Sequence, residues 1–178
     1  MPRFELGVIV DTKRLRLRPF TEDDVDDVLR AVDDPEIRRW LPWSHGYDRA
    51  RAVDFCTREA HDAPEARLRW AVDADDRLVG SASLHRADWG NGGVEIGYWI
   101  APWSRRRGYA VEAVRAVAAY AYSLGLHRVE LHAAVGNAAS RGVAVRAGFT
   151  EEGVRREAGR VGDRYIDMVL YAQLSGDI

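Results

Sequence analysis

The sequence predicts a mixed α/β fold, one sheet with helices on both faces. Three observations predict it. Apolar residues alternate at period two, or run together between turn signals, in strand-length stretches along the chain. Apolar residues at i, i+3, i+4, i+7 mark helices between them. The elements follow the order β-α-α-β-β-β-α-β-α-β-β, with no internal repeat, low-complexity tract or long linker.

Leu15 and Leu17 alternate with Arg14, Arg16 and Arg18, which reads as a half-buried strand. Thr21-Glu-Asp-Asp24 is a capping box, and Phe20 and Val25 stand at the positions of a hydrophobic staple. Val25, Val28, Leu29 and Val32 then form one helical face. Pro35 and Pro42 break the stretch that follows. A weaker helix is expected over about 48–60.

Leu68, Trp70 and Val72 alternate, Asp75-Asp76 makes a turn, and 78–84 returns as the hairpin partner. Asn91-Gly-Gly93 is another turn. The mostly apolar run 94–100 reads as a central strand. A loop over 102–109 leads into a helix over about 110–124. Val129, Leu131, Ala133 and Val135 alternate in a further strand. A short helix over about 138–146 stops at Gly148, a natural C′ residue. The segments 149–154 and 165–174 read as the last two strands.

The length of 178 residues suits a single domain over 1–178 with a proper core. Hydrophobic content of 47% with 30% charged residues excludes a disordered chain. No stretch approaches a membrane span and the N-terminus lacks a secretory h-region, so the expected compartment is the cytoplasm, without membrane association. A formal charge of −2 argues against bulk nucleic-acid binding. One cysteine, Cys56, leaves no disulfide, CxxC pair or cysteine-built zinc site. One lysine, Lys13, sits in no context for a Schiff base or a phosphate loop. His45, His61, His85, His127 and His132 fall in no ligand spacing, and no metal site is expected.

The informative segment is Arg105-Arg106-Arg107-Gly108-Tyr109-Ala110, set between a strand and a helix. A helix start leaves backbone N–H groups without partners and carries a partial positive charge. A turn just before it can aim those groups at one anion. Gly108 and Ala110 allow close backbone approach, and arginines add charge-assisted contacts to phosphate. The loop therefore suits a diphosphate. An arginine-rich surface loop with an ordinary glycine is the bland alternative.

This segment resembles the [QR]-x-x-G-x-[GA] signature of the GNAT superfamily of acyl-CoA-dependent N-acyltransferases. Further stretches are similar to its RimJ/RimL branch: Leu15-Arg-Leu-Arg-Pro-Phe20 with the acidic helix after it, Glu95-Ile-Gly-Tyr-Trp99, Asn137-x-x-Ser140 with Arg146-Ala-Gly-Phe149, and Gly162-Asp-Arg-Tyr-Ile-Asp167 with Leu170-Tyr171. The resemblance implies a sheet of about seven strands and four helices, splayed between its fourth strand (94–100) and its fifth (128–135). It implies acetyl-CoA as co-substrate. The pantetheine arm would pair with backbone near Trp99 and Ile100, and the diphosphate would sit on Arg105 through Val111. It also implies direct transfer to a primary amine, either a protein N-terminus or a small molecule, and a homodimer.

Glu95 is the expected base, acting directly or through a water, because burial would raise its pKa towards the working range. Facing the wet side of the sheet, or pairing with an arginine, is its alternative. Asn137 resembles the residue that bonds pantetheine, and also suits a plain N-cap. Ser140 matches the position thought to help protonate the leaving thiolate. Many members of the superfamily carry a tyrosine acid seven residues after that asparagine, where this chain has Ala144. Arg146 could reach the cofactor's 3′-phosphate or stay solvated. Trp40, Trp43 and Tyr47 could wall an acceptor groove or pack on the sheet. A longer donor such as succinyl-CoA, or a CoA-binding sensor with little catalysis, remains as an alternative.

Overall fold

The computed structural model describes residues 2–41, 44 and 46–177. Eight strands are formed among these residues: β1 (Val10–Asp11), β2 (Arg16–Arg18), β3 (Leu68–Ala74), β4 (Arg77–Asp88), β5 (Gly93–Ile100), β6 (Arg128–Ala134), β7 (Thr150–Val161) and β8 (Arg164–Leu174). The five α-helices are α1 (Val25–Val32), α2 (Pro35–Trp40), α3 (Arg49–Thr57), α4 (Tyr109–Ser123) and α5 (Ala138–Ala147). The strands make one sheet in the order β1-β2-β3-β4-β5-β6-β8-β7. Neighbours are antiparallel except β5 and β6, which are parallel. A parallel pair needs a crossover, and α4 supplies it.

Strand alternation divides the core in two. Trp70, Val72, Val94, Ile96 and Leu131 pack with Val114, Val117 and Ala121 of α4 and Ala144 of α5. Ala71, Leu78 and Trp99 pack on the opposite face with Val28, Ala31 and Val32 of α1, Ile37 of α2 and Cys56 of α3. The capping box precedes α1 as a short 3₁₀ turn. There the Thr21 N–H donates to Asp24 Oδ2 at 2.8 Å, and Phe20 and Val25 are both buried. Asp24, itself buried, accepts from both terminal nitrogens of Arg18, whose Nε reaches Asp73 at 2.6 Å.

Three expectations change. The two-residue strand β1 is added at the edge, so the parting strands are the fifth and sixth. Pro35 begins a helix instead of breaking one. It lies in the first turn of α2, where its missing N–H has no partner to lose, and Asp34 caps the helix by accepting from Ile37 N at 3.0 Å. β7 runs on past residue 154 to Val161, because register shifts between Glu151 and Gly153 and between Arg155 and Gly159 absorb its irregular pattern.

Candidate active site

β5 and β6 pair from Gly93↔Arg128 to Ile96↔Leu131, and then part. Gly97–Ile100 on one side and His132–Ala134 on the other present unpaired edges to a cavity of about 890 Å³. That volume is at the upper end of the roughly 300–1,000 Å³ of ligand pockets. The same cavity runs to the start of α4, lined there by Arg105, Arg106, Gly108, Tyr109, Ala110 and Val111.

The start of α4 is built to receive an anion. Gly108, its N-cap, holds φ +81°, and no side chain caps the helix. Its first N–H groups are therefore left for a ligand. Arg106 also takes a left-handed φ of +63°, which curls the loop. The loop is braced from behind: Arg14 Nη1 donates to the Arg107 carbonyl at 2.9 Å, and Arg14 pairs with Glu112 at 2.6 Å. Arg107 does not line the cavity. The Arg105 guanidinium is held by Asp34 at 2.5 Å, so it ties the loop to the cap of α2. These features fit the diphosphate of coenzyme A.

On the α4–α5 side, the Tyr98 and Ser140 hydroxyls share a hydrogen bond at 3.0 Å, and both residues line the cavity. Burial pushes the Tyr98 phenol up, which keeps it protonated. Asn137 caps α5 by accepting from Ser140 N at 3.0 Å, which fixes the serine beside Tyr98. Ala144 is fully buried in the core, away from the cavity lining. Arg146, six residues beyond Ser140, lines the cavity as well. Ile100 and Trp99 line it as well, although the Trp99 side chain belongs to the α1–α3 core.

Glu95 lies on the other face of β5. Its carboxylate meets His85 Nε2 at 3.2 Å, Arg86 Nη1 at 2.8 Å and His132 Nδ1 at 3.5 Å. The raised pKa expected of it is not found. Burial does push the carboxyl up, but the hydrogen bond from His85 and the charges of His85, His132 and Arg86 outweigh burial and hold it at about 2. Glu95 is thus a fixed anion at the cleft and a weak proton acceptor.

The outer walls come from α2 and from the β7–β8 hairpin. Glu36, Ile37, Trp40 and Leu41 line the cavity together with Gly159, Arg160, Ile166 and Met168. Trp40 reaches over to Gly136, where a Cβ would stand 3.2 Å from its ring. Tyr47 does not join this wall: it lines a separate groove with Asp26, Leu29 and Arg38 beside α1, and burial pushes its hydroxyl up. Trp43 lies outside the described residues. Cys56 is buried on α3, its thiol pushed up to about 12 by burial.

Sequence reasoning missed Tyr98, His85 and His132 at the site. Tyr98 lay within the quoted strand motif. The histidines gave no local signal, because only strand pairing brings them to Glu95.

An uncapped helix start that opens into a parted strand pair suits a coenzyme A-dependent acyltransferase. The chain matches the acetyltransferase (GNAT) domain over residues 14–150. It is 36% identical over 171 residues to the ribosomal-protein-serine acetyltransferase of Escherichia coli, covering 92% of this chain and 94% of that one. It is 44% identical to YdaF of Bacillus subtilis over a shorter span of 101 residues, 56% of this chain and 55% of that protein. The solved structure of Mycobacterium smegmatis RimJ in complex with CoA-disulfide shares the fold, with a TM-score of 0.86 at 23% identity over 97% of this chain and 90% of that one. The chain belongs to the GNAT acetyltransferase family and is an N-acetyltransferase that takes acetyl-CoA as co-substrate.

Proposed function

We propose that the acceptor is the N-terminal α-amine of a protein, and that transfer is direct, without an acetyl-enzyme intermediate. The observation that carries this reading is the parting of β5 from β6 at Ile96 and Leu131 beside the uncapped start of α4. The name of the Escherichia coli relative supports a protein acceptor. So does the room of the cavity, about 890 Å³, to which α2 and the β7–β8 hairpin both contribute lining.

Acetyl-CoA supplies an activated acetyl thioester. Backbone N–H groups freed along Gly97–Ile100 hold the pantetheine amides and donate to the developing oxyanion. The uncapped N–H groups at Gly108 through Val111 hold the diphosphate, Asn137 adds a contact to the pantetheine, and Arg146 reaches the 3′-phosphate. Tyr98 and Ser140 give a proton to the departing sulfur. An α-amine with a pKa near 8 is roughly a tenth neutral at pH 7, far more than a lysine side chain, so the site has little deprotonation to do. The high pKa of Cys56 and its place in the α3 core support direct attack.

The test is thiol release from acetyl-CoA with a synthetic peptide bearing an N-terminal serine, the same peptide blocked at its N-terminus, and a panel of small amines. Turnover with the free α-amine and none with the blocked peptide is expected. Coenzyme A binding without turnover for any amine would overturn the reading in favour of a sensor.

A further inference from the structure

His85 and Glu95 are direct partners across the β4–β5 ladder, so their side chains share a face. His85 Nε2 lies 3.2 Å from Glu95 Oε1. A carboxylate can only accept, so Nε2 carries a proton, and in the neutral ring Nδ1 keeps the lone pair. Among the described residues Nδ1 has no hydrogen-bond partner, and the side chain, 32% exposed, lines the cavity.

Two backbone features seat this imidazole. The first is Gly97, the residue just past the last β5–β6 pair. A Cβ there would stand 2.9 Å from His85 Cε1 and 3.3 Å from Nδ1, so the ring rests on bare backbone where the sheet opens. The second is a register shift after His85, with Arg86 at a left-handed φ of +55°. Consecutive strand residues normally point to opposite faces. The bulge turns Arg86 back, so that Arg86 and His85 bind the two oxygens of one carboxylate. A left-handed arginine is strained, and such strain gathers where it serves a site.

We propose that His85 is the catalytic residue that takes the proton from the acceptor amine, with Glu95 as the positioning residue that fixes its tautomer and ring. This rests on the transferase reading above. As the amine nitrogen bonds to the acetyl carbon, one N–H proton passes to His85 Nδ1, giving the imidazolium beside Glu95. The C–S bond breaks, its electron pair stays on sulfur, and the sulfur takes the proton of the Tyr98–Ser140 pair from the opposite face of the sheet. Arg86 and His132 join the imidazole in binding the Glu95 carboxylate. Glu36 of α2 and Arg160 of β7 are further charged groups that line the same cavity.

The test takes the amine that the wild type turns over best and compares His85→Gln, His85→Ala, Glu95→Gln and, as a control distant from the cleft, His127→Gln. His85→Gln should lower kcat about a hundredfold, leave KM for acetyl-CoA within about twofold, and lose the acid limb of the pH–rate profile. Added imidazole should restore His85→Ala in a concentration-dependent way. Glu95→Gln should displace the acid limb, and His127→Gln should match the wild type. A wild-type profile in His85→Gln, or no imidazole rescue of a folded His85→Ala, overturns the proposal and leaves the transferase reading intact. A wild type that turns over no amine overturns both.

Discussion

Ile96 and Leu131 are the last residues at which β5 and β6 face each other as partners. Beyond them the two strands go separate ways. β6 stays paired with β8 up to Ala134↔Met168, and β5 stays paired with β4 up to Gly80↔Ile100. Each strand is thus held from its outer side while its inner edge is free. Backbone donors and acceptors left unpaired in a cavity are costly unless a ligand meets them, which suits the amides of a pantetheine arm.

Gly108→Glu should abolish coenzyme A binding. The position needs φ +81°, and the new carboxylate would stand where the helix start favours an anion. We expect calorimetry to show a loss of at least about a hundredfold, equivalent to roughly 3 kcal/mol, with an unchanged circular dichroism spectrum. Retained affinity would remove this loop from the site.

Tyr98→Phe and Ser140→Ala should each slow turnover, about a hundredfold for Tyr98, with coenzyme A affinity unchanged. Burial raises the Tyr98 pKa above its ordinary 10, so this group stays protonated across the neutral and mildly alkaline range. Wild-type turnover should therefore show no fall assignable to Tyr98 below pH 10. A normal rate in Tyr98→Phe would assign the proton to another donor.

Glu95 should make stability fall in acid. Its folded pKa of about 2 lies below the ordinary 4.5, so its contribution is fully present above pH 4.5 and is lost as pH falls towards 2. By linkage this is on the order of 3 kcal/mol. Urea midpoints at pH 6 and pH 3 should differ less for Glu95→Gln than for the wild type. Equal differences would show that the His85–Arg86–His132 setting does not depress this carboxyl.

Asp34→Ala should disturb both halves of the site at once. Asp34 caps α2, which carries Trp40, and holds Arg105 at the head of the phosphate loop. Loss of the cap alone costs about 1 kcal/mol, visible as a drop in Tm. KM should rise for acceptor and for acetyl-CoA together. A rise confined to one substrate would mean that the pair does not link the two walls.

Gly136→Ala should act on the acceptor side alone. The added methyl would meet the Trp40 ring at 3.2 Å and push it towards the opening. Steady-state kinetics should show a several-fold higher KM for the acceptor with acetyl-CoA unaffected. An unchanged acceptor KM would place Trp40 outside the acceptor path.

Local sequence carried much of this protein. The fold class, the helix at Val25–Val32 and the loop at Arg105 through Ala110 follow from periodicity, capping residues and a glycine ahead of a helix; the structure adds that Gly108 holds a positive φ. Even the missed helix at Pro35 had its signal in Asp34-Pro35, an N-cap followed by a proline suited to the first turn. What a carboxylate does, by contrast, depends on its neighbours in space. Burial alone would have raised the Glu95 pKa, and strand pairing brings His85 and Arg86 from ten and nine residues away, and His132 from the far side of a crossover, to lower it. Tyr47 likewise stands near Trp40 in sequence, but the chain turns it into another groove. Most elements, and a helix start suited to an anion, were legible because they depend on residues a few positions apart. Which groups share the cleft, and in what charge state, was not legible, because ladder register and parting strands set distances between residues that no local spacing encodes.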